Sequence, residues 1–180
     1  YDDDSVTSGV EYCYTVTAVY DEGESEDSNE DCATATDPGS IVGLSVTNGS
    51  SDVGAADNIS IDMDNEDPVA GFQFELSFDP DIASIIAVET TDRTEGFMLS
   101  ANDGIIIGFS LTGEVINSGT GPIVAVTVEG DSPGDAESCL DDIVLADSDG
   151  DAMFSTAECG EYTVNDVPPP DAIELPVGNG

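Results

Sequence analysis

Arg93 is the only cationic side chain in a sequence of 180 residues that carries 40 carboxylates, a net charge of −39 with no histidine. Such a chain has no means of building ion-pair networks. Any fold it adopts rests on apolar burial and hydrogen bonds, with like charges held apart at the surface. The imbalance also excludes whole classes of function. Neutralising phosphates takes several Lys or Arg, so the chain is no nucleic-acid binder. Triads, acid–base pairs and metal sites that depend on imidazole are excluded for want of one. The apolar runs are only a few residues long, too short for a membrane-spanning helix. Tyr1-Asp2-Asp3-Asp4 has none of the features of a signal peptide.

High net charge favours disorder. Against it stand 39% hydrophobic residues, alternating β-branched runs and four cysteines. Two settings reconcile a fold with so many acids. Molar salt shortens the Debye length to about 3 Å, so neighbouring carboxylates stop repelling. Calcium-rich extracellular water acts similarly through weak carboxylate coordination. A saline or marine source is the preferred reading, giving an acidic, halophilic protein.

The cysteines fall as two spaced pairs, Cys13 with Cys32 and Cys139 with Cys159. Neither pair is CxxC, and no further ligand completes a zinc site. Each pair brackets two strand-like stretches and a turn. Of the three possible connectivities, the local one suits both hairpins; free buried thiols are the alternative. A disulfide closing a loop of about 20 residues stabilises by roughly 3 kcal/mol in the chain-entropy model. Disulfides imply an oxidising, extracellular setting.

Helical periodicity is nearly absent, whereas strand-like alternation recurs about every 10 to 15 residues between Gly, Asp and Asn clusters. Residues 10–20 alternate as one strand, an acidic turn follows, and 32–36 return. Asp37-Pro38-Gly39 then breaks the pattern as a linker. Further strands are expected over 41–46, 58–63, 70–78, 84–90, 97–100, 104–111, 123–129, 140–145, 152–155 and 161–164. Phe72, Phe74, Leu76 and Phe78 share one face of their stretch, as a half-buried strand requires. Strand count and turn composition predict an all-β, two-sheet sandwich. Residues 165–170 are rich in proline and read as a semi-rigid spacer.

Candidate ligand positions are sparse. Asp147, Asp149 and Asp151 alternate about Gly150 and invite a calcium reading. Placing Gly150 at the sixth position of an EF-hand loop puts Leu145 first and Thr156 twelfth, so that frame fails and a polar hairpin turn explains the spacing better. The three acids nonetheless stand as candidate metal ligands, with Ca2+ as the ion and no other cofactor indicated. Asp62, Asp64, Glu66 and Asp67 read as a solvated edge loop. Carboxylate pairs suited to glycoside hydrolysis abound, but acids on turns lack the apolar pocket that separates their pKa values. With no Trp and 6% aromatics, a flat platform for stacking sugars would fall to Tyr20 or Phe97. Asn48 and Asn58 begin N-x-S sequons and are candidate glycosylation sites, Asn48 on a predicted loop being the better acceptor.

Two family resemblances add to this. Val6, Gly9, Tyr12, Tyr14, Val16 and Ala18, then Gly23-Glu24-Ser25, Ser28-Asn29 and Ala35-Thr36-Asp37-Pro38, resemble the last two strands of a bacterial fibronectin type III domain. The resemblance makes Tyr12 its tyrosine-corner residue and places the earlier strands upstream. Val167-Pro168-Pro169-Pro170 followed by Asp171-Ala172-Ile173-Glu174-Leu175 resembles the first strand of another such domain. Between them, Asn58-Ile59-Ser60-Ile61-Asp62-Met63, Val69-Ala70-Gly71-Phe72-Gln73-Phe74-Glu75-Leu76-Ser77-Phe78-Asp79-Pro80, the Ile143 to Asp151 stretch and Gly160-Glu161-Tyr162-Thr163-Val164 resemble a cohesin-type module. The implied architecture is 1–38, end strands of a fibronectin type III-like domain; 39–165, a jelly-roll, cohesin-like sandwich; and 166–180, linker and possible first strand. A Cys139–Cys159 disulfide and the extreme charge depart from familiar cohesins.

The expected function is a non-enzymatic extracellular or cell-surface segment of a modular stalk, fibre, filament or adhesin. Its partners would be other domains or copies of the same protein. The alternatives are a cohesin-like module for a dockerin-like partner, or a carbohydrate-binding module for a surface glycan. The charge generates a direct test. The melting temperature is expected to rise steadily with NaCl between about 0.1 M and about 2 M as carboxylate repulsion is screened, read by circular dichroism; a flat profile would contradict it.

Overall fold

The computed structural model describes residues 6–7, 10–34 and 40–167. The chain divides into two compact units, Tyr1–Gly39 and Ser40–Gly180. The expected linker 37–39, the end of the return strand and the expected strand 171–175 lie outside the described residues.

The first unit holds two antiparallel pairs. Strand β1 (Glu11–Tyr14) pairs with β4 (Asp31–Thr34), and β2 (Val19–Tyr20) with β3 (Gly23–Glu24). Cys13 lies opposite Cys32, and the two form a disulfide. The single strand expected over 10–20 is therefore two, and the gap has a chemical cause. The Val16 and Ala18 N–H groups donate to Ser28 Oγ and Ser25 Oγ, both at 2.9 Å. The Ser28 and Ser25 N–H groups in turn donate to the Val16 and Ala18 carbonyls. Two serine side chains thus take the place of ladder carbonyls, a competition short hydroxyl side chains can win. The Tyr12 hydroxyl accepts from the Thr7 N–H at 2.8 Å. Among the described residues of this unit none is buried, and Val16 and Val19 are largely exposed.

The second unit is a β-sandwich. One sheet runs β10 (Met98–Asn102), β11 (Ile105–Phe109), β8 (Gly71–Asp79), β13 (Gly134–Ala146), β16 (Gly160–Asn165) and β6 (Gly49–Asp52), with β14 (Ala152–Met153) also paired to β13. The other runs β15 (Ser155–Glu158), β5 (Val42–Val46), β7 (Ala56–Asn65), β12 (Gly119–Gly130) and β9 (Ala83–Thr90). Neighbours are antiparallel except β15 with β5 and β16 with β6. The all-β jelly-roll expected from the sequence is the architecture found. The only helical element among the described residues is a 3-10 turn, Asp92–Thr94.

Alternation builds the core. Leu44, Ile61, Phe74, Ile106, Val126 and Leu145 all point between the sheets and are buried, each burial contributing roughly 1.5–3 kcal/mol. The Phe72 ring stacks between those of Phe74 and Phe97, with centroids 5.2 and 6.2 Å away. Phe97 is therefore core and offers no platform for a sugar. Gly108 lies under the Phe72 ring, where a Cβ would come within 2.2 Å of it, so no other residue fits.

The last strand changes sheets between Glu158 and Gly160. A Cβ on Gly160 would sit 2.6 Å from the Val46 carbonyl oxygen, so the crossing needs glycine. Cys159 stands at that crossing and is bonded to Cys139 on β13. The disulfide holds the switch point against the sheet it enters.

Arg93 is the centre of a half-buried polar junction. Its Nη1 donates to the carbonyls of Met63 (2.6 Å) and Gly121 (3.1 Å). Its Nη2 donates to Asn65 Oδ1 (2.6 Å) and to the carbonyls of Asn117 (2.9 Å) and Gly119 (3.0 Å). Burial lowers the guanidinium pKa from its ordinary value, with Asp64 and Asp62 opposing. Around it, Thr91 and Thr94 hydroxyls donate to the Pro122 and Ile123 carbonyls, where β12 bulges. The only cationic side chain thus ties together carbonyls of β7, of β12 and of the loop before β12. A lysine lacks the planar fork. Arg93→Lys is expected to destabilise by about 2–4 kcal/mol, read as a lower urea midpoint at fixed salt; an unchanged midpoint would contradict this.

Tyr162 presents the opposite case. Its hydroxyl is buried beside Ser51, and neither oxygen has a hydrogen-bond partner. Burial raises the phenol pKa above its ordinary value, with Ser51 opposing and the Asp57 carboxylate adding to the rise. The folded state therefore holds this proton more tightly than the unfolded state. That stability is complete below about pH 10, the unfolded pKa, and is lost as pH rises through the folded pKa. Tyr162→Phe removes an unsatisfied hydroxyl. It is expected to leave the melting temperature at pH 7 unchanged or higher and to flatten its decline above pH 10, followed by thermal scans across pH.

Candidate interaction surface

The outer face of the β10–β11–β8–β13 sheet is where this protein departs from its own surface chemistry. An antiparallel sheet with one solvated face ordinarily turns polar side chains outward. On β11, Ile106 and Gly108 face the core, and the outward positions are Ile105, Ile107 and Phe109, exposed by 41%, 37% and 41%. Register aligns them in rows across the strands. Met98 lies opposite Phe109, and Phe109 opposite Gly71. The next row runs Ser100, Ile107, Gln73, Val144. The third runs Asn102, Ile105, Glu75, Asp141, so acid begins at its far end. Beyond it Asp79, Glu137 and Glu161 form a wholly acidic row. The face grades from an apolar corner at Met98 and Phe109 to an anionic flank.

The β10–β11 stretch of the sequence is poor in charge. Residues 97–113 contain one acid, Asp103, against 40 in 180 for the chain. Asp103 sits in the β10–β11 turn with φ +49° and Gly104 with φ +84°, the twist of a two-residue hairpin. Reading for strand periodicity alone passes over such a window. Counting charges does not single it out either, because residues 38–51 and 115–128 carry no acid at all; the outward exposure of Ile105, Ile107 and Phe109 does. Contiguous exposed apolar surface of this kind marks interaction sites.

The other candidate positions lie elsewhere. Asp147, Asp149 and Asp151 share the turn between β13 and β14, where Asp147 Oδ1 accepts the N–H groups of Asp149 and Asp151, both at 2.9 Å. Their carboxylates do not converge within 4.8 Å of one another. The only such convergence among the described residues is Cys13, Glu30 and Cys32, whose sulfurs are already bonded together. Asp62 and Asp64 accept from the Ser60 and Thr120 hydroxyls, and Asp67 from Ser40. Asn48 lies in a loop and accepts from the Glu161 N–H; Asn58 lies on β7 and accepts from the Thr127 hydroxyl. Both asparagines are exposed. Tyr20 is exposed on β2, in the other unit. No helix of the described residues is long and apolar enough to cross a membrane.

Solved structures share this architecture. Residues 40–167 form a cohesin-like fold. A crystal structure of CaCohA2, a Clostridium acetobutylicum protein, in complex with a variant of CaDoc0917 matches with TM-score 0.59 and 20% identity over 69% of this chain and 100% of that one. A non-cellulosomal cohesin from the hyperthermophilic archaeon Archaeoglobus fulgidus matches with TM-score 0.59 and 16% identity, over 69% of this chain and 91% of the other. The Coh-OlpC–Doc435 complex of Clostridium thermocellum, a type I cohesin–dockerin complex, matches with TM-score 0.61 and 15% identity over 75% and 100%. At these identities the cohesin-like likeness is one of fold. No protein-family model and no curated protein matches the chain.

Proposed function

We propose that the cohesin-like sandwich is a non-catalytic protein-binding module that docks a dockerin-like domain on the outer face of the β10–β11–β8–β13 sheet. The carrying observation is the apolar corner of Met98, Ile105, Ile107 and Phe109 on a surface otherwise crowded with carboxylates. Burying those side chains against a partner removes apolar area from water without desolvating a charge, the combination that makes the centre of an interface. The acidic flank at Glu75, Asp141 and Glu137 would then form a polar rim and bias orientation. Several fold neighbours are cohesins solved in complex with dockerins, which supports this choice of partner.

The module would work within an extracellular, disulfide-stapled array. The Tyr12 hydroxyl held by the Thr7 N–H has the form of a tyrosine corner. The serine-bridged hairpin around it buries nothing of its own. Both observations support reading 1–38 as end strands of a fibronectin type III-like domain, which gives the chain the stalk-like character of a modular surface protein. Within that array the acidic turns, Asp147 to Asp151 among them, would serve as salt-tolerant surface, and Asn48 as a glycan acceptor.

Isothermal titration of the disulfide-intact chain with calcium-loaded dockerin domains in high salt tests the proposal. Ile107→Asp and Phe109→Asp are expected to leave the melting temperature within a few degrees, because both side chains are half in water. Each should weaken docking by at least about tenfold, the equivalent of about 1.4 kcal/mol. Binding that these variants leave unchanged, or no binding across a panel, would contradict it.

A further inference from the structure

Beyond the outer face, the edge strands of the two sheets, β9 and β10, approach each other on one side of the sandwich. Among the described residues, strand β9 pairs with β12 and with no strand on its other edge. It is eight residues long, whereas the other sheet-edge strands, β6, β10 and β15, have four or five. Natural sheets blunt such edges with charge or proline. Here Ala83-Ser84-Ile85-Ile86-Ala87-Val88 carries neither, in a chain with 40 acids. A bulge opposite Thr127 and Val128 leaves Ile86 without a partner on β12, and its side chain is 53% exposed.

A cleft runs beside this edge. One part, about 550 Å3, lies among Leu76, Phe78, Ala83 and Ile85. It continues into a second of about 350 Å3 between Ile85–Val88 and the β10–β11 turn. Glu75 and Asp81 line the first part, and Asp103 borders both. The Glu75 and Asp81 carboxylates accept no hydrogen bond among the described residues, while Asp103 accepts only from its neighbour Asn102.

We infer that the β9 edge and its cleft accept an extended cationic segment of another protein, added as a strand alongside β9. A free edge supplies backbone hydrogen bonds, the few apolar side chains at that edge, Ile85 among them, meet alternate side chains, and the carboxylates of a mostly polar cleft meet the intervening Lys or Arg. Charge decides the occupant. A second copy of this chain brings 40 acids and one arginine that is already engaged by five oxygens. The chain's own segment Asp171-Ala172-Ile173-Glu174-Leu175 brings two acids and no cation. Neither complements the cleft.

The test uses the full disulfide-intact chain and three synthetic peptides of about eight residues, a length matched to an ordinary strand. They are an alternating Lys–Val peptide, its block isomer with all lysines first, and an alternating Glu–Val peptide. Amide hydrogen exchange is followed by mass spectrometry in each. The alternating Lys–Val peptide is expected to slow exchange across Ile85–Val88 by about fivefold or more; the other two should not. Ile86→Asp, at an exposed position, should weaken that peptide by about tenfold, as should the Glu75→Gln, Asp81→Asn pair. Ile107→Asp on the outer face should leave it unchanged, which separates this site from the docking face. Equal protection by the block isomer would reduce the effect to charge attraction and overturn the inference, as would absent protection at β9 or indifference to Ile86→Asp.

Discussion

A protein with forty carboxylates and one guanidinium has to satisfy its acids without ammonium groups, and much of the architecture follows from that. Hydroxyls take the role instead. Ser40 donates to Asp67, Ser60 to Asp62, Thr120 to Asp64 and Thr163 to Asp135, at 2.6 to 3.1 Å. Such pairs keep carboxylates at the surface, solvated on one side and hydrogen-bonded on the other. Fully buried charge, which is costly without a partner, is absent among the described residues, and the half-buried Arg93 comes nearest to it. There the guanidinium meets four carbonyls and an asparagine oxygen and no carboxylate. Stability is left to the apolar interior, the ladders and the two disulfides.

The same constraint gives the neutral parts of the surface their meaning. Where acid is the default, an uncharged stretch that is also exposed is conspicuous. The outer face of β10 and β11 and the edge of β9 are such places. The first is broad and flat and suits a folded partner. The second is linear and offers unpaired backbone, which suits an extended one. They share a border at Glu75 and the β10–β11 turn, while their centres, Phe109 on β11 and Ile86 on β9, lie on different strands.

Much of the fold was legible because core-facing positions alternate cleanly. Phe72, Phe74 and Leu76 point inward as the period of two requires, and the expected strand 70–78 is β8 almost residue for residue. The Cys13–Cys32 disulfide was legible for the same reason, since the two fall opposite each other when their strands pair; Cys139 and Cys159 are bonded as expected but not across a hairpin, because Cys159 stands where the chain crosses from β15 to β16. Other elements left no such trace. Strand β6 reads Gly49-Ser50-Ser51-Asp52, with only Ser51 facing in, and forms through a parallel pairing with β16 that no local pattern announces. The start of β13, Gly134-Asp135-Ala136-Glu137, looks like a turn because its outward positions are acids. The break within 10–20 depends on serines from the far side of a hairpin. The candidate site was legible in neither charge spacing, since 38–51 and 115–128 are poorer in acid, nor hydrophobic periodicity, because a strand apolar on both faces reads simply as a buried strand.

The central claim is that the charge-poor outer face, rather than the acidic turns or the hairpin unit, is where the module meets its folded partner. Crosslinking mass spectrometry reports on acids and misses that face, so the direct measurement is hydrogen exchange on the chain alone and saturated with a bound dockerin domain. The expected result is slowed exchange concentrated in Met98–Asn102, Ile105–Phe109 and the facing part of Gly71–Asp79. Protection confined to the turn at Asp147 to Asp151, or to the hairpin of Glu11–Tyr14 and Asp31–Thr34, would contradict the claim.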